Sequence, residues 1–172
     1  NISLNLVAFY TIVRKEVLRV LRIWIQTIVP PAITMTLYFV IFGNLIGTRI
    51  GVMGGYSYMQ FIAPGIIMMS VITNSYGNVV SSFFGAKYGG YIDEMLISPM
   101  SNATIILGHI AGGVLRGLLV GGMVTIIALS FTNLELKFPL ITFSMVLLSS
   151  IVFALAGFIN ALFAKKFDDI AI

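Results

Sequence analysis

The 172-residue chain has no cysteine, which excludes disulfides and thiolate metal sites and leaves the redox compartment unmarked. It has a single histidine, His109, too few for a His-based metal cluster. Charged residues are 9% of the chain, against roughly 25% in an ordinary soluble domain. Apolar types make up 59%. A soluble domain of this composition could not cover its own surface with polar side chains, so a cytoplasmic enzyme or regulator is excluded as the default. The same richness in apolar residues excludes disorder. The 17 glycines follow no three-residue period, which excludes a collagen-like chain. No Gly-rich loop ends in Lys and Ser/Thr, so a Walker-type phosphate site is missing. The acidic residues are scattered or paired near the edges of apolar stretches, with none expected mid-span. That argues against a carboxylate proton relay. No potassium-filter run is present. Without a clustered nucleophile, base or metal set, no catalytic residue, metal or cofactor bound by this chain is expected.

What remains is an integral membrane protein. Charge-free runs fall at 23–48, 50–86, 95–115, 117–134 and 138–164. They far exceed the ~10 residues of a barrel strand, so the fold class expected is an all-α polytopic membrane helical bundle. A hydrocarbon core of ~30 Å needs ~20 helical residues. Spans are therefore expected at 24–43, 59–84, 103–130 and 139–164, the third joined across Arg116. They form a single transmembrane domain over 1–172.

The net charge of +4 reads as topology rather than as a nucleic-acid footprint. Arg14, Lys15, Arg19, Arg22, Lys87, Lys165 and Lys166 gather on one side, and only Arg49 and Lys137 on the other. The crowded side is expected to be cytoplasmic, with the N-terminus there. The first twenty-two residues lack a compact apolar block before a small-residue site, so no cleaved signal peptide is expected.

Residues 8–24 follow helical periodicity. Phe9, Tyr10, Val13, Val17, Val20, Leu21 and Trp24 share one face. Thr11, Arg14, Lys15, Glu16, Arg19 and Arg22 cover the opposite arc, with Ile12 and Leu18 intruding. This predicts an interfacial helix in the headgroup layer, serving as an anchor, a docking surface, or both. Pro30-Pro31 should kink or loosen the first turns of the first span. Glycines from Gly43 to Gly55 make the following loop adaptable. Pro64-Gly65 marks a bend or re-entrant entry to the second span.

In the second span Ser70, Asn74, Asn78, Ser81 and Ser82 form a polar stripe, lining a substrate path or bonding to a neighbouring helix. In the third, Gly108 and Gly112 are spaced by four, as are Gly113, Gly117 and Gly121, a ridge for close helix packing. Arg116 lies roughly 20 Å into this helix, where it pairs with carbonyls and asparagines or meets a polar or anionic substrate. His109 reads as a polar packing residue. Asn160 and Gly157 mark the fourth span. The loop 85–102 breaks at Gly89-Gly90. Tyr91, Ile92, Asp93, Glu94, Met95 and Leu96 then form a short amphipathic helix, with Ile92, Met95 and Leu96 on one side. It is either a partner contact or a plain surface turn. Pro99 ends it, and Ser101 or Asn102 caps the third span. Residues 165–172 pass from Lys165-Lys166 through Asp168-Asp169 to Ile170, Ala171 and Ile172, which read as the start of a further span cut short.

Several stretches resemble the membrane subunit of ABC-2 type transporters. They include QTIVPPAIT at 26–34, YMQFIAPG at 58–65, TNSY at 73–76, SSFF at 81–84, GGVLRG at 112–117 and FAKKFDD at 163–169. The likeness covers essentially the whole chain. It is nearest to small enterobacterial-type inner-membrane permeases of unassigned substrate. It implies an ATP-driven exporter subunit of six membrane helices in a bacterial inner membrane, of which four are present here. It implies a second permease copy as dimer partner and a separate ATP-binding subunit that carries ATP-Mg. It places the ATPase contact on the N-terminal helix (Arg14, Lys15, Arg19) and on a coupling helix at 88–97. Substrates in the family include drugs, lipid-linked glycans and other amphiphiles. A non-transport assembly or regulatory subunit is the alternative. A lipid-modifying enzyme lacks the residues it would need.

Overall fold

Long apolar runs in this chain become long helices. A computed structural model describes residues 2–135 and 137–170. Helix α1 (Ile2–Arg22) and α2 (Trp24–Tyr38) are separated only at Ile23. Helix α1 begins six residues earlier than the periodicity from position 8 indicated. Helix α2 runs through Pro30 and Pro31 and passes into a π-helical stretch (Phe39–Ile46), then α3 (Gly47–Ile50). The helical run thus extends past the expected end at residue 43. Gly43 and Gly47 lie inside it rather than in a loop, with Gly43 pressed against the Met59 side chain.

A two-residue hairpin follows, β1 (Val52–Met53) paired antiparallel with β2 (Tyr56–Ser57). Gly54 and Gly55 make its turn with φ of 59° and 88°, a backbone region other residues enter only with strain. Helix α4 (Tyr58–Tyr88) opens with a capping box: Ser57 accepts from the Gln60 N–H, and Gln60 accepts from the Ser57 N–H. It runs unbroken through Pro64. After Gly90, at φ 77°, come α5 (Tyr91–Ile97), α6 (Asn102–Phe131) and α7 (Pro139–Phe163). Ser101 caps α6 by accepting from the Thr104 N–H. A 3₁₀ turn covers Phe167–Ile170. The expected start of a further span falls partly on Ala171 and Ile172, outside the described residues.

Among the described residues, three helical segments are long and apolar enough to cross a membrane: Trp24–Ile50, Asn102–Phe131 and Pro139–Phe163. Helix α4 is long enough but less apolar, because Ser70, Asn74, Ser75, Asn78, Ser81 and Ser82 lie along it. It occupies the middle of the bundle, packed against both α6 and α7. Ser70, Ser75, Asn78 and Ser82 are buried between helices.

The packing partners define the helix directions. Val79, Ser75 and Val71 of α4 meet Gly113, Gly117 and Gly121 of α6 in reversed order, so the two helices are antiparallel. Ser75 pairs with Ser150, and Phe83 packs on Phe158, so α4 and α7 are parallel. Asn5 accepts from the Ser101 N–H, Ile12 packs on Gly108, and Glu16 packs on Gly112. These three pairs keep one constant offset, which only two parallel helices in register produce. Further on, Met35 and Phe39 share a buried cluster with Val120, Val124 and Ala128, and Phe39 stacks on Phe131. The chain from α1 through α2 therefore follows α6 along its length.

That geometry sets α1, expected as an interfacial helix, along α6 and parallel to it. It also corrects the inward face. The buried residues of α1 are Ile12, Glu16 and Val20, which cut across both predicted arcs. Phe9, Tyr10, Val13, Val17, Leu21 and Trp24 are not among them.

A polar cluster between three helices

Glycine positions on α6 create the site. Gly113, Gly117 and Gly121 receive α4: a Cβ at Gly113 or Gly117 would lie 2.9 Å from a backbone carbonyl of Ser75 or Val71. Gly108 and Gly112 form a second groove that receives α1. A Cβ at Gly112 would lie 2.7 Å from both Cβ and Cγ of Glu16. The missing side chain is what lets a carboxylate enter between the helices.

Glu16 is fully buried (0% exposed). Burying a carboxylate is tolerated only when it is paired and hydrogen-bonded. Here Ser82 Oγ donates to Oε1, Arg19 Nη2 donates to Oε2 at 2.9 Å, and Asn78 Nδ2 approaches Oε2 at 3.5 Å. Arg19 Nη2 also donates to Asn78 Oδ1 at 2.7 Å, and Arg116 Nη1 reaches the same oxygen at 3.5 Å. Two guanidinium groups thus converge on one carboxylate and one amide, contributed by α1, α4 and α6. Nε of Arg19 and Nε of Arg116 are buried without a partner among the described residues. The Asn78 amide bridges the set, with its NH₂ toward the carboxylate and its oxygen toward the cations.

Of the residues singled out as a substrate path or polar network, Asn78 and Arg116 enter this cluster. Ser70 donates to the Ile66 carbonyl, and Asn74 donates to the Ser70 carbonyl, both on their own helix. Asn160 donates to Tyr76 Oη at 2.7 Å, a separate α4–α7 link. Ser75 and Ser150 make a further buried pair at 2.7 Å. Arg19, read from resemblance as part of the ATPase contact, turns its guanidinium into the cluster, with its side chain 29% exposed. Ser82, part of the polar stripe on α4, bonds to a neighbouring helix here, whereas Glu16 was missed as a site residue. Glu16 was assigned to the wet arc of α1, and the one signal for it was the i, i+4 alignment of Ile12, Glu16 and Val20.

His109 is buried beside the cluster. Its Nδ1 donates to the Ile105 carbonyl at 2.9 Å, and its ring stands edge-on to Phe83. Among the described residues, no group of three or more His, Cys, Asp or Glu is gathered as a metal site.

A second set of residues lies at the end where α4 and α7 finish. Lys87 Nζ donates to the carbonyls of Leu162 and Ala164 at 2.7 and 2.8 Å, tying the two helix ends together. Asp169 accepts from the N–H groups of Lys165 and Lys166 at 2.9 and 3.0 Å, which holds its carboxyl below the usual aspartate range. On α5, Ile92 and Met95 pack onto the core, whereas Tyr91, Asp93, Glu94 and Leu96 are exposed. Ile92 and Met95 are half-buried and anchor the helix. Lys15 of α1 and Tyr91, Glu94 and Met95 of α5 line one surface groove of about 510 Å³. Arg14 is exposed nearby on α1. At the opposite end, Gln60 donates to the Asn133 carbonyl, and Lys137 reaches Tyr56 Oη.

Comparison with known proteins agrees with this architecture. The chain is 55% identical over 166 residues to the inner membrane transport permease YadH of Escherichia coli K12, covering 96% of this chain and 65% of that protein. It is 24% identical over 127 residues to nodulation protein J of Neorhizobium galegae, covering 73% of this chain and 48% of that protein. The chain thus spans about two thirds of the length of the first relative and about half of the second. No solved structure matches. Residues 7–172 match the ABC-2 type transporter family, and the chain belongs to that family.

Proposed function

We propose that this chain is part of the permease subunit of an ATP-driven exporter in a bacterial inner membrane. It works with a separate ATP-binding subunit and a second permease copy, and its own residues bind no cofactor. The observation that carries the reading is the groove shared by α1 and α5. The two segments that family resemblance assigns to ATPase docking are distant in sequence, yet Lys15, Tyr91, Glu94 and Met95 line one cleft. Arg14, Asp93 and Leu96 add exposed charged and apolar surface close by. Such a mixed rim around an apolar floor suits a protein partner.

Helix directions support α4 as a membrane span as well. The segment Trp24–Ile50 and α6 run parallel, so a chain that crosses twice in one direction must return between them. Helix α4 is the only long helix between them among the described residues. Its polar side chains face neighbouring helices, where hydrogen bonds replace water. Lys87 and the Lys165-Lys166 pair then share one end of the bundle, which the positive-inside rule makes cytoplasmic. The start of α1 lies at that same end, where Asn5 accepts from the Ser101 N–H, which supports a cytoplasmic N-terminus.

The test is copurification of the full-length permease with the ATP-binding subunit. Charge reversal by Glu94→Lys together with Lys15→Glu, and separately deletion of residues 91–97, is expected to abolish it. Unchanged binding in both refutes the docking assignment. Transport into vesicles by the reconstituted pair then identifies the substrate.

A further inference from the structure

We propose that Glu16 is the positioning residue through which displacement of α1 is passed to α4 and α6. The proposal rests on the reading of the chain as an ATP-coupled permease. Its ground is the asymmetry of the contacts. Helix α1 carries Lys15 in the docking groove on one side and Glu16 at the buried cluster on the other. Adjacent residues on a helix point about 100° apart, so a push on the groove reaches the cluster within one peptide unit.

At that point α1 grips both neighbours. Its backbone approaches α6 closely only because Gly108 and Gly112 leave room for Ile12 and Glu16. It holds α4 through charged and polar groups: the Glu16 carboxylate on Ser82, and Arg19 on Asn78. Apolar knobs slide along a glycine groove at small cost. A buried carboxylate cannot, because leaving its donors strands a charge in a low-dielectric interior. Glu16 therefore makes α1, α4 and α6 move together rather than past one another. The loosely held Arg116, with a single 3.5 Å contact to Asn78 among the described residues, marks where the rearrangement would be received.

The experiment uses the full-length permease with its ATP-binding subunit in proteoliposomes. Glu16→Gln keeps the shape and removes the charge, and Ser82→Ala removes one donor and leaves the charge. Ile12→Ala, on the same face, loses packing alone. Three quantities are read: copurification, permease-stimulated ATP hydrolysis, and disulfide cross-linking between cysteines placed at Asn5 and Ser101. Glu16→Gln is expected to retain copurification while stimulation falls about tenfold, within the usual range of coupling between sites. Ser82→Ala is expected to fall between it and the unmodified protein, and Ile12→Ala to keep most of its stimulation. Full stimulation in Glu16→Gln overturns the proposal, as does an equal loss in Ile12→Ala. If the unmodified pair neither copurifies nor shows stimulation, the ATP-coupled reading has failed. The cross-link then decides the role of Glu16: lower yield in Glu16→Gln supports the grip on α1, and unchanged yield overturns it.

Discussion

Helix α6 contains two glycines whose replacement by alanine should have opposite effects. At Gly117 a new Cβ would lie 2.9 Å from the Val71 carbonyl and 3.1 Å from Ser75 Cβ, and it would overlap Ser75 Oγ. Ordinary contact begins at 3.4 Å, so α4 must withdraw by about half an ångström or the Ser75 side chain must turn away. Either response disturbs the buried Ser75–Ser150 hydrogen bond. Overpacking of this kind costs about 1–3 kcal/mol, and an interhelical hydrogen bond adds about 0.6 kcal/mol. The gain in helix propensity returns up to about 1 kcal/mol. Gly117→Ala should therefore destabilise by about 0.6–2.6 kcal/mol even with the full propensity gain. A Cβ at Gly122 meets nothing within 4 Å, so Gly122→Ala should keep only the propensity gain, up to about 1 kcal/mol of stabilisation. The assay is equilibrium unfolding in mixed micelles by SDS titration, followed by circular dichroism. Equal midpoints for the two variants would refute the claim that α4 and α6 touch backbone to backbone at Gly117.

Other predictions follow from the links between helix ends and cores. Lys87→Met should lose about 1 kcal/mol in the same assay, because the carbonyls of Leu162 and Ala164 lose a charged donor; Lys87→Arg should recover part of it. Ser75→Ala and Ser150→Ala should be non-additive by about 0.5–1 kcal/mol in a double-mutant cycle, and strict additivity would mean the hydroxyls do not meet. Asp169 should titrate below the ordinary ~3.9 of a free aspartate when followed by carboxyl carbon NMR. Because its folded value is lowered, its hold on the Lys165 and Lys166 amides is present above the unfolded value and is lost as pH falls through the folded one. Asp169→Asn should speed exchange of those amides at neutral pH, and unchanged exchange would contradict the contact.

Legibility varied with the kind of physics involved. Helices α6 and α7 begin and end within one residue of the segments 103–130 and 139–164 read for them, because each boundary reflects the local cost of a charge or a helix breaker. Helix α4 extends past the segment 59–84 read for it, since Lys87 finds carbonyl partners on α7 and stays in the helix. The glycine ridges were visible as spacing. That one row faces α4 and the other α1 was not, because four-residue spacing identifies a stripe and not its neighbour. On α5 the amphipathic pattern was legible, but its apolar residues divide between anchoring and exposure. Leu96 is exposed, Ile92 packs onto the core, and Met95 does so while also lining the groove beside Lys15.

The sequence by itself determined that this is a helical membrane domain, where its long helices lie, and which loops collect positive charge. Those properties follow from hydrocarbon thickness and charge solvation, which act on each segment separately. Family resemblance was equally a property of the residue string. Only the tertiary structure decided which face of α1 is inward. A glutamate beside arginines reads as a wet surface when its helix is considered alone. It becomes a buried contact once Gly112 supplies the space and Ser82, Asn78 and Arg19 supply the donors. Three of these four lie on α1 or α4 and the other on α6, and no pattern within one segment records that they meet.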